Sequence, residues 1–587
     1  MTARRFTTLL LPMLAALPGC AAQVARTGTA PIEVGILAIN DFHGNLQPPH
    51  LAITAPDGKT PVPAGGAAYL ASAIASLRRG HPNSITVSAG DMTGASPLPS
   101  SIFLDEPTIA TMNAIGVDLN AVGNHEFDRG TTELLRLQNG GCARNATPLP
   151  CRLEKFGGAR FQYLAGNTIM ENGASLLPAT AIRTFGQGSR RVTIGFIGLT
   201  TRTTNTLVSP TAIRGIHFAD EADTANRLVP ALRKAGADTI VLLVHEGGYP
   251  QPETDPNGCA GLSGPIVDIA KRLDPAIQVV VSGHTHKAYI CPNIASRPLL
   301  LTSAGKFGSI VTDMTLRFDP RSKRLIDSSA RNVIVQGEAF EVDGRTVGLS
   351  DAVPRFAADP VVGKIVDRYV TASGPLAERV VGHMTRAPAP KDGPPRRYET
   401  ELGNLVADAQ LAVMSVPENG GAQVAFMNPG GIRTDLKIGD GGAVTFADAY
   451  AVQPFGNVLM VREFTGAQIR AVLEQQFDMG GKTLVLSVAG MTYAFDRSRP
   501  AGQRIIDVVV QGRPLSDAER YRVSVSNFLA VGGDGFTSFV VGRDVPGPGI
   551  TDVDALSDYL GRSIVTPPPV NRIADRTPPG WTAPSTR

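Results

Sequence analysis

The chain holds 587 residues, with 55 Lys+Arg against 52 Asp+Glu, for a formal charge of +3. One hydrophobic core usually serves no more than roughly 250–300 residues, so at least two domains are expected. The balanced charge excludes a general polyanion binder, so nucleic acid is not an expected partner, and 43% apolar against 18% charged residues excludes a largely disordered chain.

The N-terminus reads as an export signal. Arg4 and Arg5 form a positive segment, followed by an apolar stretch over 6–17 that is too short to span a bilayer as a mature helix. Leu17-Pro-Gly-Cys20 resembles a bacterial lipobox, in which Cys20 becomes the new N-terminus and takes a lipid. Residues 1–20 are then a lipoprotein-type signal peptide and 21–31 a tether, with the protein periplasmic and held at a membrane through Cys20. An ordinary signal peptide cut near Ala21-Ala22 is the alternative.

From 32 to about 340, short β-branched runs (33–39, 84–87, 192–197, 239–244, 278–281) alternate with stretches of helical apolar spacing (65–79, 222–235). That alternation predicts an α/β layered domain with strands buried on both faces. Cys142, Cys151, Cys259 and Cys291 lie within it, without zinc-finger spacing. In an oxidising compartment, short loop closure favours disulfides 142–151 and 259–291 among the three possible connectivities. A helical connector is expected over 341–375. An α+β domain over 376–565 follows, opening with a Pro-rich loop (387–395) and a helix from Leu402 to Met414; a Pro-rich, poorly ordered tail covers 566–587.

Five strand-like runs of the first domain end in residues of metal-ligand type. In order these are Asp41-Phe-His43; Gly90-Asp91; Gly123-Asn-His-Glu-Phe-Asp128; His245; and Gly283-His-Thr-His286. Strand C-termini of α/β sheets open onto the crevice where sites form, so all five are expected to converge. Carboxylate, imidazole and amide oxygen suit divalent ions such as Zn, Mn or Co. One carboxylate can bridge two such ions, which polarise a phosphoryl group and generate a hydroxide nucleophile. Any one of these residues alone would be an ordinary turn or cap; the ordered coincidence of five is not. His50, His81, His217 and His383 lack such context and read as surface or structural residues.

With Asn40-Asp-Phe-His-Gly44, Gly123-Asn-His-Glu-Phe-Asp128, His245-Glu-Gly247 and Gly283-His-Thr-His286, the sequence resembles the calcineurin-like metallophosphatases. More specifically, it resembles the exported 5′-nucleotidase family that includes bacterial UDP-sugar hydrolases. The resemblance implies a four-layer α-β-β-α metallophosphatase domain followed by an α+β nucleotide-binding domain. It implies one ion held by Asp41, His43 and His286, a second by Asn124, His245 and His284, and Asp91 bridging them. His125 would donate to the phosphoryl oxygens with Asp128 orienting it, while a metal-bridging hydroxide attacks phosphorus in line. Glu126 reads as helix-starting scaffold.

In the second domain, Asn428-Pro-Gly-Gly-Ile-Arg433, Gln453-Pro-Phe-Gly-Asn457 and Asn527-Phe-Leu-Ala-Val-Gly-Gly-Asp-Gly-Phe536 offer aromatics beside glycine turns, able to stack a flat base. These segments also resemble the family's nucleotide-binding domain. By that resemblance Phe455 and Phe528 sandwich the base, Asp534 binds the ribose, Asn428 lies near the base and Arg433 meets phosphate. A further substrate arginine aligns near Tyr398, with Arg397 the candidate and Arg396 beside it. The function implied is metal-dependent hydrolysis of extracytoplasmic nucleotides to nucleoside and phosphate. The alternatives are a UDP-sugar hydrolase, a 2′,3′-cyclic-nucleotide phosphodiesterase, or, in another class, a non-catalytic nucleotide-binding surface lipoprotein.

Overall fold

The computed structural model describes residues 30–143, 150–294, 297–342, 345–391, 398–479 and 483–581. Cys20, Arg396 and Arg397 lie outside the described residues. Among the described residues, no helix is long and apolar enough to cross a membrane.

The first half runs β1 (Ile32–Ile39), α1 (Ala67–Arg78), β2 (Ser84–Ser88), α2 (Glu106–Ile115), β3 (Leu119–Ala121) and β4 (Gln162–Leu164). It continues through β5 (Thr180–Phe185), β6 (Val192–Thr200), α3 (Glu221–Lys234), β7 (Thr239–His245), α4 (Pro265–Arg272) and β8 (Ile277–Ser282). It closes with β9 (Ala288–Cys291), β10 (Leu300–Ala304), β11 (Ile310–Phe318) and β12 (Leu325–Ile334). These strands build two six-stranded sheets, in the orders β12-β11-β1-β2-β3-β4 and β9-β10-β8-β7-β6-β5. In the first sheet β1 to β4 are parallel; in the second β10, β8, β7 and β6 are parallel, with antiparallel edges.

Side chains alternate across each strand, and both faces are covered. Ile36 of β1 and Val241 of β7 point into a core between the sheets, shared with Val87, Phe196 and Val279. Their neighbours Leu37 and Leu242 point outward, onto α1 and α2 in one case and onto α3 and α4 in the other. The result is the four-layer α-β-β-α arrangement. Both expected disulfides are present: Cys142–Cys151 with Cα atoms 5.6 Å apart, and Cys259–Cys291 with Cα atoms 5.2 Å apart.

The connector is α5 (Pro360–Ala377), capped by the Asp359 carboxylate, which accepts from the amides of Val361 and Val362. Its Val362 and Val366 pack into the helical core of the first domain. The second domain then runs α6 (Glu401–Met414), β13 (Val424–Met427), α7 (Phe446–Val452), β14 (Leu459–Thr465), α8 (Gly466–Gln475), β15 (Ser487–Ala489), β16 (Met491–Phe495) and β17 (Ile505–Val510). After β18 (Arg513–Pro514) come β19 (Arg520–Ser526), β20 (Arg543–Val545), α9 (Asp552–Gly561) and β21 (Ile573–Asp575). Its larger sheets have the orders β15-β13-β19-β14-β20 and β18-β17-β16-β21. Both α7 and α8 begin with reciprocal capping boxes, Thr445 with Asp448 and Thr465 with Gln468.

The expected tail differs. Residues 573–575 form β21, parallel to β16, and the Glu399 carboxylate accepts from the amides of Asn571, Arg572 and Ile573. Arg572 also makes a paired bond to Asp408. The Pro-rich composition hides a three-residue strand whose partners lie far away in sequence, so the second domain extends past residue 565.

Candidate active site at the domain junction

The parallel strands all point the same way, so β1, β2, β3, β7 and β8 deliver their following loops to one end of the two sheets. Asp41 and His43 follow β1, Asp91 follows β2, Asn124 follows β3, His245 ends β7, and His284 and His286 follow β8. The ligand-type atoms of Asp41, His43 and His286 lie within 4.8 Å of one another, as do those of Asp91, His245 and His284. Asp91 Oδ2 stands between the groups, 2.9 Å from His245 Nε2 and 3.6 Å from His43 Nε2, where one carboxylate can serve both. Asn124 Oδ1 is 3.2 Å from His245 Nε2.

Backbone strain accompanies this convergence. Asp41, His43, Asp91, His284 and His286 all have positive φ, between 47° and 71°, a region non-glycine residues rarely adopt. The glycines beside them are required by crowding: a Cβ at Gly123 would lie 2.2 Å from Asp91 Oδ1, and one at Gly90 2.6 Å from His245 Nδ1.

The donor set fits divalent cations. His43 Nδ1 lies 2.9 Å from the Gly94 carbonyl and His245 Nδ1 2.7 Å from that of Ala89; a carbonyl can only accept, so both rings carry a proton on Nδ1. The His43 Nε2 lone pair therefore faces His286 Nε2 at 3.1 Å, on the side where a cation could be held. Burial pushes the His286 imidazole down to about 4 against the pull of Asp41, and drives His43 well below the usual range. Burial also disfavours charge on His245, but Asp91 outweighs it and holds that imidazole up to about 10.

His125 begins a short 3-10 turn, His125–Phe127, directly after Asn124. Its Nδ1 donates to Asp128 Oδ2 at 2.9 Å, and its backbone N–H donates to Asp91 Oδ1 at 2.9 Å. Burial opposes the imidazolium, yet Asp128 and Asp91 together raise its pKa.

The second domain closes the site from the other side. Asp91, Asn124, His125, Asp128, His284 and His286 share one cavity of about 330 Å³ with Asn428, Arg433, Phe455, Phe528 and Asp534. Asn428 Nδ2 donates to Asp534 Oδ2 at 2.7 Å, joining two loops 106 residues apart. Phe455 stacks on His125, with centroids 5.9 Å apart. Burial lowers the pKa of Arg433 against the opposing charges of Asp91, Asp41 and Asp128, and among the described residues its Nη2 is buried without a hydrogen-bond partner. Arg397 falls outside the described residues. Of the histidines set aside, His81 pairs with Asp313 at 2.7 Å and His50 stacks on Phe340.

Two residues in the motifs do more than the sequence indicates. Glu126 is no mere scaffold: its buried carboxylate accepts from the amides of Asp91 at 3.0 Å, Met92 at 2.8 Å and Gly123 at 2.7 Å, clamping two ligand loops together. Asn40 donates to Asp41 Oδ2 at 2.7 Å and to the Gly305 carbonyl at 2.7 Å, and accepts from the Ala304 amide. Their adjacency to ligands was the only signal; their partners are remote.

Comparison with known proteins agrees with this architecture. Residues 34–288 match the calcineurin-like phosphoesterase family, and residues 380–540 match the 5′-nucleotidase C-terminal domain. The chain is 30% identical over 539 residues to the endonuclease YhcR of Bacillus subtilis, covering 91% of this chain and 40% of that protein. It is 30% identical over 556 residues to the cell wall protein Lmo0130 of Listeria monocytogenes, covering 90% of this chain and 67% of that one. The crystal structure of the 5′-nucleotidase precursor from Thermus thermophilus superimposes with a TM-score of 0.71 at 27% identity, over 93% of this chain and 100% of that one. With a two-centre metal-ligand cluster beneath a second domain of this type, the chain belongs to the 5′-nucleotidase family of calcineurin-like metallophosphatases, which are metal-dependent phosphoester hydrolases.

Proposed function

We propose that the chain is an exported 5′-nucleotidase that hydrolyses nucleotides to nucleoside and phosphate. One observation carries this: a single cavity brings the two ligand groups and His125 together with Asn428, Phe455, Phe528 and Asp534 from the second domain. Asp41, His43 and His286 would hold one divalent ion and Asn124, His245 and His284 the other, with Asp91 between them. When bound, two such ions supply Lewis acidity toward the phosphoryl group and lower the pKa of water.

The remaining work belongs to the side chains. Phe455 and Phe528 offer aromatic faces to a base, and Asp534, pre-oriented by Asn428, presents carboxylate oxygens to ribose hydroxyls. Arg433 directs its unpaired buried donor at phosphate. His125, whose Nδ1 is held by Asp128, donates to a phosphoryl oxygen as negative charge develops there. Export accords with the leader-type N-terminus and with two disulfides. Mass spectrometry of the mature N-terminus tests whether Cys20 carries a lipid.

The test is phosphate release from AMP by the full chain, after chelation and after reconstitution with Mn, Co or Zn. Activity should vanish on chelation and return with metal. Protein that binds two metal equivalents yet releases no phosphate would instead be a nucleotide-binding lipoprotein without turnover.

A further inference from the structure

Ala30 and Pro31 lead into β1 at the end of the first domain opposite the ligand cluster. From Ile32 at that end to Ile39 beside Asp41, the eight residues of β1 hold the two ends about 25 Å apart. The β5–β6 turn and the β11–β12 turn lie at the same end, since Ile32 pairs with Phe318 and Phe318 with Leu325. Arg190 donates to the carbonyls of Ala30 and Pro31, and Lys323 to that of Ser189. Segments 30–33, 189–191 and 317–327 therefore form one continuous face around the entry of the chain into the fold.

This face carries a charge that the chain as a whole does not. Its segments hold six basic residues against three acidic ones. Arg4, Arg5 and Arg26, the only charged residues before residue 30, account for the whole +3, so the rest of the chain is neutral and the excess here is local. The acidic groups are also engaged: Glu33 and Asp327 both pair with Arg317, and Asp319 accepts from the amides of Arg321 and Ser322. Arg190, Arg191, Arg321 and Arg324 are exposed; among the described residues, the side chains of Arg191 and Arg324 make no hydrogen bond or ion pair. Ile326, beside the β11–β12 turn, is 57% exposed. Clustered basic groups around an exposed apolar side chain suit an anionic lipid surface, where the charges meet headgroups and the apolar group enters their boundary. The position fits the same partner. Cys20 lies ten residues before Ala30, a stretch that spans at most about 35 Å, so a lipid on Cys20 keeps this end within reach of the bilayer.

We propose that this basic face docks on anionic lipid headgroups and seats the anchored protein with its ligand cluster turned toward the aqueous side. The inference rests on the reading of Cys20 as a lipid anchor and adds the orientation of the body above the membrane. It does not depend on which phosphoester is cleaved. Because the cluster lies a full strand length from the face, docking leaves the cavity between the two domains open to solute.

The mature chain carrying Cys20→Ser, which has no acyl group, separates the face from the anchor. It should cosediment with vesicles of equal parts phosphatidylglycerol and phosphatidylcholine, stay in the supernatant with phosphatidylcholine alone, and dissociate as salt is raised. Adding Arg191→Gln and Arg324→Gln should lower the partition coefficient about 30-fold at low salt. The thermal midpoint should not move, because neither side chain has a partner in the fold. In the lipidated chain, a fluorophore on Ser322→Cys should be quenched by headgroup-labelled lipid, and one on Glu253→Cys, whose carboxylate pairs with Lys287 beside His286, should not. No binding to the anionic vesicles, equal binding to both kinds, or a partition unchanged by the two substitutions would overturn the inference. Quenching of the label at position 253 instead of 322 would overturn the orientation. A wild-type chain with Cys20 unacylated would overturn the anchor reading, and the vesicle assay would then decide the face by itself.

Discussion

The ring of Phe455, in the second domain, lies stacked on the ring of His125, in the first, with planes 21° apart. The candidate base platform and the candidate proton donor thus lie side by side in one cavity, lined by residues of both domains. Leu98 and Ile102 of the first domain join the core around α6 and α9, which fixes that meeting with apolar contacts.

Phe455→Ala removes one stacking face. Stacking is worth about 1–3 kcal/mol per base, so KM for AMP should rise roughly 5- to 150-fold. The kcat should fall less, because the variant leaves Asp128 on His125. Steady-state kinetics separates the two parameters.

His125→Ala should keep both metals, since no ligand atom is removed, and lose about 10²- to 10⁴-fold in kcat. Metal content by elemental analysis, read beside turnover, checks both halves. A fall in metal content matching the fall in activity would make His125 structural instead.

Glu126→Gln should act through metal affinity. The variant puts an amide NH₂ where a carboxylate oxygen now accepts backbone N–H groups from the Asp91 and Asn124 loops. Loss of such an outer partner typically costs about 10- to 100-fold in metal affinity. Competition against a fluorescent chelator measures it.

Asp552 gives a pH signature away from the metals. It is buried, it accepts from Asn457 Nδ2 at 3.1 Å in the Phe455 loop, and burial pushes its carboxyl up to about 7. The unfolded chain ionises this group near 4, so between about pH 4 and 7 unfolding releases a proton. Stability should therefore be highest below pH 4 on this account, and should decline as pH rises toward 7, by at most ~1.4 kcal/mol per pH unit. Asp552→Asn should flatten that slope in urea titrations at successive pH values.

Much of the fold could be read from residue order alone. Alternating apolar runs and amphipathic stretches locate the strands and helices of the first domain, because burial on both sheet faces writes a local signature. The disulfide pairs followed from short loop closure. The β21 strand was hidden, because three residues in a Pro-rich stretch carry no periodicity and owe their order to β16 and Glu399.

For the site, the sequence by itself determined which residues are chemically equipped: imidazoles, carboxylates and one amide at five strand ends, with aromatics beside glycine turns. Tertiary structure alone decided the rest. It set the Asp91 oxygen between two histidines, aimed the His43 Nε2 at His286 through a carbonyl on the far side of the ring, and turned Glu126 into a clamp. The reason is physical: ligand identity is a property of single side chains, whereas distance, proton placement and cavity shape are properties of segments brought together by folding.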